Sequence, residues 1–393
     1  MVSLEKSHNE KSATVIGAGI GGLCTAIALQ QKGWNVSVYD KATELKDVGA
    51  GIVLSANALK VLGKLGLALE IRKKGAPVKK AEIRTWDGKP LVNVPVHEQA
   101  QRYGSYSYLI YRPSLQKVLH AALYENTVNL KKRLVHIEQR DSKVSVGFED
   151  GEVVKDNLVI GADGIHSEVR KRVIGPSPLR YSGFTAIRGI SVYEDARFPM
   201  ELGGGFEAWG HGKRFGFSHL GKGRIFWFAA INSESGTIIN SPHPKKIALD
   251  HFSGWWEPVT NMIEATEESN IIVHEIFDRK PMNTWSNGKI TLLGDAAHPM
   301  LPNLGQGGAQ AMEDALVLSR CLDDYPNEVE KALKQYEEIR YGRTAKVVKG
   351  SRAMGRMMQL ENPIAIFIRN QLLRNSPDSL KMKRLEWLLG HEV

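Results

Sequence analysis

The chain has 393 residues with 52 Lys and Arg against 43 Asp and Glu, a net charge of +9, and is 42% apolar and 24% charged. That is the composition of a soluble globular protein of two or three domains, and it excludes collagen-like, low-complexity and disordered chains. Four glycines interrupt the longest apolar stretch, residues 13–29, so no membrane span is expected; a polar N-terminus without an h-region and only two cysteines, Cys24 and Cys321, suit a reducing cytoplasm and leave no disulfide framework or metal site.

In chain order, residues 13–17 read as a short buried strand, 20–32 as a helix and 35–40 as a second strand. A Gly-rich loop follows at 48–52, then a helical stretch over 56–74 carrying Leu59, Leu62, Leu65 and Leu69. Residues 76–107 look strand-like, with turn chemistry at Asp87-Gly88, and 112–124 are helical by the spacing of Leu115, Val118 and Leu119. Strand pairs then run over 135–146 and around the Asp150-Gly151 turn, ending in the buried strand 157–161. Residues 180–231 alternate and are rich in Phe, Trp and Gly, which predicts an antiparallel sheet with one solvated or ligand-facing side. A last buried strand spans 290–294, a helix starts at about Gly307, and a tail helix opens with Asn362 as N-cap and Pro363 in its first turn. Residues 331–393 hold 13 Lys or Arg against 6 Asp or Glu, so most of the positive surplus lies in the tail and the body gives no reason to expect nucleic acid. No repeat and no Pro- or Ser-rich linker is present, which predicts interleaved domains.

Gly17-Ala18-Gly19-Ile20-Gly21-Gly22 is a GxGxxG between a strand and a helix. The first glycine permits the tight turn, the second lets backbone approach a pyrophosphate, and the third lets the helix pack against the sheet. The helix N-terminus offers free N–H groups to phosphates. Asp40, 18 residues past Gly22, ends the second strand where an acid accepts ribose hydroxyls, with Lys41 beside it. The motif alone does not separate FAD from NAD.

Two further segments do. Gly161-Ala162-Asp163-Gly164-Ile165-His166-Ser167-Glu168-Val169-Arg170 follows one buried strand. Gly294-Asp295-Ala296-Ala297-His298-Pro299 follows another and leads through Pro302 and Gly305-Gln306-Gly307-Gly308 into a helix. With these the chain resembles the class A flavoprotein aromatic hydroxylases, the para-hydroxybenzoate hydroxylase family, which includes salicylate and urate hydroxylases. The match to the GxGxxG, DGxxSxxR and GD fingerprints covers roughly residues 13–341. The resemblance implies an α/β fold: a Rossmann-like FAD-binding domain (13–75, 107–175 and 285–341) interleaved with an antiparallel substrate-binding sheet (76–106 and 176–284), then C-terminal helices (342–393). It implies FAD as cofactor, NADH or NADPH as co-substrate, O2, and oxygen transfer to a small aromatic or heteroaromatic molecule through a flavin C4a-hydroperoxide. Asp295 would then accept ribityl hydroxyls, and the Gly305, Gly307 and Gly308 turn would face the flavin pyrimidine edge. Asp163 and Arg170 would support the pyrophosphate, Arg112 would reach FAD from a helix start, and Gly51 would lie in a loop over the isoalloxazine.

Pro302 falls at the family position near flavin and substrate, where its carbonyl would orient a substrate. Arg214 falls where urate hydroxylases place a substrate-facing arginine, or is a surface strand residue. The tyrosine that accompanies it there is matched by Phe226, losing a hydrogen bond worth roughly 1 kcal/mol or more. His219 is a candidate base or a strand histidine, and His298 reads as structural support. Arg188 reads as a sheet residue with backbone bonds, Trp255-Trp256 as packing, and Cys24 as a small buried side chain. Ile364, Phe367, Ile368 and Leu372 share one helical face near Arg369, Arg374, Lys381, Lys383 and Arg384. That face is open to three readings: packing on the body, a homodimer contact in place of a monomer, or rest on an anionic membrane. The rival readings of the whole chain are a flavin-dependent reductase or dehydrogenase of the same fold, and a flavin-free binding protein related to Rab GDP-dissociation inhibitors.

Overall fold

The computed structural model describes residues 11–44, 50–140, 143–377 and 385–393. Val48 and Gly49 of the expected loop, and Lys381, Lys383 and Arg384 of the tail, lie outside the described residues.

Three of the apolar runs become neighbours in one parallel sheet. Its five strands lie in the order Ile290–Leu292, Leu158–Gly161, Ser12–Ile16, Asn35–Tyr39 and Val128–Asn129. They read as runs because a single core of helices and a small antiparallel sheet (Leu134–Arg140, Lys143–Phe148, Val153–Asp156) buries them, with Val15, Val38, Ile160 and Leu292 fully enclosed. Helix Ile20–Gln30 packs on helix Gly307–Asp324 within that core. Parallel strands end at one edge, so the segments after Ile16, Gly161 and Leu292 meet there.

A second sheet of seven strands runs in the order Ile271–Asp278, Arg180–Val192, Arg224–Asn232, Lys213–Gly221, Gly205–Trp209, Ala81–Thr85 and Pro90–Asn93. All its pairs are antiparallel except Gly205–Trp209 with Ala81–Thr85. One face carries Ile187, Phe206, Phe215, Phe217 and Trp227 into an apolar core closed by helices Pro244–Phe252 and Glu257–Glu264. The alternate residues, among them Arg188, Arg214, Phe226, Phe228 and His274, share the other face by register. Trp255 meets Phe252 edge-on at 4.6 Å and Trp256 lies 5.0 Å from Phe206, so this pair packs.

The elements depart from expectation in three places. The stretch 56–74 is two helices, Ala56–Lys64 and Ala68–Lys74, turning at Gly66. The stretch 76–107 contains an amphipathic helix, Val96–Tyr103, after its strands. The tail follows a 30-residue helix, Val329–Met358, and helix Pro363–Arg374 is capped by Asn362, whose side chain accepts the Ile364 and Ala365 N–H groups. Its apolar face does not pack on the body: Ile364, Phe367, Ile368 and Leu372 are 53–71% exposed. Ile366 and Arg369 hold the helix instead, the Arg369 guanidinium donating to the Met357 and Met358 carbonyls and lying 5.1 Å over the Trp209 ring. Among the described residues no helix is long and apolar enough to cross a membrane.

Replacing Ile364, Phe367, Ile368 and Leu372 together by Ser should leave thermal stability nearly unchanged, since exposed substitutions each cost within about 0.5 kcal/mol. Ile366→Ala, on the buried side, should cost roughly 2 kcal/mol or more in a denaturant titration.

Candidate active site

Backbone contact shapes the first turn. Gly17 has φ +112° and a Cβ there would stand 2.4 Å from the Ala162 carbonyl oxygen; a Cβ on Gly22 would stand 1.9 Å from the Gly17 oxygen. Gly19 is different, with no protein atom within 4 Å of its would-be Cβ. It opens helix Ile20–Gln30 as an N-cap without a side-chain cap, leaving the first N–H groups turned to open space. Asp40 braces the turn: one oxygen accepts the Ala18 N–H at 2.7 Å and the other the Ala42 N–H at 2.8 Å. A cavity of about 340 Å³ begins here, lined by Gly17, Gly19, Asp40, Lys41, Arg112, Asp163 and neighbouring residues.

The second motif closes on the same space. Asp163 accepts the Glu168 and Val169 N–H groups at 2.7 and 3.2 Å through one oxygen, while its other oxygen is buried without a partner. Burial raises its pKa against those hydrogen bonds. Arg170 does not reach the cleft. It is buried and donates to the Ala296 and Ala297 carbonyls at 2.9 and 3.1 Å, tying the second motif to the third; burial, then the charge of Arg279, brings its pKa down to about 10.

The third motif turns Asp295 into a larger cavity of about 750 Å³, shared with Gly19, Gly21, Arg112, Gly307 and Gly308. Asp295 is exposed to this cavity, and desolvation by the protein around it raises its pKa against the pull of His298 and Arg112. No protein group among the described residues hydrogen-bonds it. Behind the turn, Asp314 accepts the Gly294 N–H at 3.0 Å, His298 Nε2 at 2.6 Å and Arg340 Nε at 2.6 Å. Burial alone would raise the Asp314 pKa, but His298 and Arg340 hold it at about 2. Glu313 beside it accepts from Asn57, Arg340 and Arg343, and Asn57 also donates to Gln306, which donates in turn to Ser55. Strand Gly51–Leu54 is thereby fixed against the Gly305–Gly308 turn. Helix Gly307–Asp324 has no side-chain cap, so its first N–H groups face the cavity. This network was missed in the sequence, where the visible signal is an adjacent acid pair on an apolar helix.

Arg112 begins helix Arg112–Ala121 and lines both cavities, joining them into one cleft. A Cβ on Gly51 would stand 2.7 Å from the Phe226 ring, so the described part of the loop lies flat on the substrate sheet. That sheet supplies Arg188, Ile272 and His274 to the wall of the larger cavity. Arg188 is thus a sheet residue paired on both sides, as its local sequence suggests, and it also lines the cleft.

Pro302, Arg214 and His219 are not brought together, and none lines either cavity. Pro302 is exposed and its carbonyl accepts the Gly305 N–H at 2.8 Å in a short 3-10 turn. Arg214 is buried and donates to Glu207 at 3.1 Å, Met358 Sδ at 2.8 Å and Asn303 at 2.5 Å. His219 lies on the opposite sheet face, its Nε2 donating to the Phe198 carbonyl at 2.8 Å. His298 is buried support, and burial lifts the Cys24 thiol to about 12.

Residues 10–351 match the family described as FAD binding domain. The chain is 36% identical to the aurachin C monooxygenase/isomerase of Stigmatella aurantiaca, over 92% of this chain and 93% of that protein. It is 34% identical to the 3-amino-4-hydroxybenzoate 2-monooxygenase of Streptomyces cremeus, over 96% and 94%. The solved structure of Klebsiella pneumoniae HpxO complexed with FAD and uric acid matches with a TM-score of 0.89 at 29% identity, covering 95% of each chain.

Gly19→Ala should leave apo-protein thermal stability unchanged and weaken FAD retention, whereas Gly22→Ala should destabilise the apo-protein itself; unfolding curves with and without FAD separate the two. The pKa of Asp314 falls on folding from 3.8 to about 2. Its stabilising share is therefore complete above about pH 4 and lost as pH falls towards 2. Asp314→Asn should be less stable than the parent at pH 7, with the two unfolding temperatures converging as the pH approaches 2.

Proposed function

The chain belongs to the FAD-binding-domain family of flavoprotein monooxygenases, and from that premise we propose how its residues divide the work of hydroxylating a small aromatic or heteroaromatic substrate. The observation that carries this reading is the single cleft in which three motif segments meet a wall of the antiparallel sheet. Its surfaces fit FAD: Gly19 leaves open space where a side chain would otherwise stand, Asp163 keeps an unpartnered oxygen, and Asp295 has no protein partner among the described residues. FAD, when bound, would supply the two-electron carrier and the O2 activation that side chains cannot.

The first N–H groups of helix Ile20–Gln30 and the guanidinium of Arg112 would hold the pyrophosphate. Asp40 and Lys41 would meet the adenosine end, and Asp295 would accept ribityl hydroxyls. The uncapped start of helix Gly307–Asp324 would favour negative charge on the pyrimidine side. Phe226, packed beneath the strand that carries Gly51 and 6.4 Å from the Phe228 ring, would help to exclude water, which keeps oxygen transfer ahead of peroxide release. NADH or NADPH is the proposed reductant, so that NAD(P)H, H+, O2 and the arene give NAD(P)+, water and the hydroxylated product. No side chain in the cleft is assigned as a base. Arg170 is proposed as a positioning residue that aligns two motifs, not as a cofactor ligand.

The test is NAD(P)H oxidation by the FAD-loaded protein with a panel of phenolic acids and N-heterocycles, with product masses measured alongside. One compound should speed oxidation and gain one oxygen atom. Flavin turnover that never consumes O2 would identify a reductase instead.

A further inference from the structure

Two cationic side chains reach the larger cavity, Arg112 and Arg188. Arg112 stands at the junction with the phosphate end of the cleft. Arg188 stands elsewhere, midway along strand Arg180–Val192, with Phe228 opposite on one neighbouring strand and Ile272 on the other. No carboxylate and no hydrogen-bond acceptor partners its guanidinium among the described residues. Burial and the nearby charges of Arg214 and Arg112 all disfavour its charged form, yet an arginine stays protonated at neutral pH. A cation in that position is costly unless an anion joins it.

The residue beside it on the same cavity wall is His274. Burial, then the charges of Arg188 and Arg112, lower its pKa, so it stands neutral at pH 7 and is free to donate or accept one hydrogen bond. Arg214, which the family resemblance assigns to the substrate, lines neither cavity; its two terminal nitrogens donate to Glu207, Met358 and Asn303, and its Nε is buried without a partner. The charge of Arg214 is already balanced by Glu207 at 3.1 Å.

We propose that Arg188, with His274 beside it, anchors an anionic oxygen of the aromatic substrate, a carboxylate or a phenolate, and that Arg214 does not. This rests on the reading that the cavity seats the substrate against bound FAD. It narrows the substrate class to aromatic molecules that carry an acidic oxygen, held on the sheet-side wall of the cavity.

The test uses the FAD-loaded protein and reads the change in flavin absorbance as ligand is added. The probes are salicylate and 3-amino-4-hydroxybenzoate, the corresponding amides, and phenolate-forming 4-nitrophenol. Acids or 4-nitrophenol should bind more tightly than the amides, and whichever does so identifies carboxylate or phenolate as the anchored group. Arg188→Met should raise the Kd of that anion by roughly tenfold or more while changing the amides little, as expected for losing one charge-assisted pair. Arg188→Lys should restore part of it, and FAD content should match the parent in both variants. Equal binding of acids, 4-nitrophenol and amides by the parent, or no binding of any anion, would overturn the proposal. So would an Arg188→Met protein that loses FAD, or raises only the KM for NAD(P)H, because Arg188 would then serve a dinucleotide phosphate. Arg188-dependent anion binding without hydroxylation of any probe would support the anchor and count against the monooxygenase reading alone.

Discussion

The contact between the Gly17 carbonyl and Gly22 sets the geometry of everything around it. A single methyl group at Gly22 would stand 1.9 Å from that oxygen, and one at Gly17 would stand 2.4 Å from Ala162. The first helix can start only because no side chain intervenes, and the strand Leu158–Gly161 can bring the second motif alongside for the same reason. Since Ile290–Leu292 is the next parallel strand, the third motif arrives at the same edge. Three segments far apart in the chain thus share one cleft, and two uncapped helix starts open into it. Anion binding follows from backbone placement before any side chain is considered.

Behind the cleft the structure spends charge where most proteins place apolar groups. Asp314, Glu313, Arg340 and His298 are all buried, and each carboxylate oxygen of the two acids is hydrogen-bonded. Such a network stabilises little beyond an apolar equivalent, but it tolerates only one arrangement. Here that arrangement fixes the Gly294 turn and, through Asn57 and Gln306, the strand that carries Gly51. The long helix Val329–Met358 extends the effect to the second sheet. Its Arg340 belongs to the network, and twelve residues later its Arg352 pairs at 2.8 Å with Asp278, which also pairs with Arg180 at 2.9 Å. One rigid element thereby registers the substrate wall against the cofactor cleft, a distance that oxygen transfer cannot leave loose.

What the sequence discloses and what it conceals divide along the same physical line. The three motifs were legible because each rests on a backbone requirement that only glycine or a turn-bracing acid meets. Asp40, Asp163 and Asp295 accordingly line the cleft, while Arg170 shows how a motif residue can serve by holding its neighbour. The substrate wall was not legible, because the role of an arginine there depends on what pairs with it across strands. Arg214 finds Glu207 and Asn303 through non-local register, whereas Arg188 finds no side-chain partner among the described residues. One part of the answer was available, since Arg214 and His219 are an odd number of residues apart on one strand and must face opposite ways. The apolar face of helix Pro363–Arg374 was visible as a pattern, but its exposure was not.

The central claim is that one cleft holds the cofactor along its whole length and presents the flavin to the sheet that carries Arg188. A crystal structure of the FAD-loaded protein, with flavin content measured on the same sample, tests it most directly. The expected result is one FAD per chain, with its phosphates at Gly19 and Arg112, its ribityl chain at Asp295, and its ring system between the Gly307 turn and the sheet. Substoichiometric flavin that excess FAD does not raise, or density for FAD outside this cleft, would contradict the account.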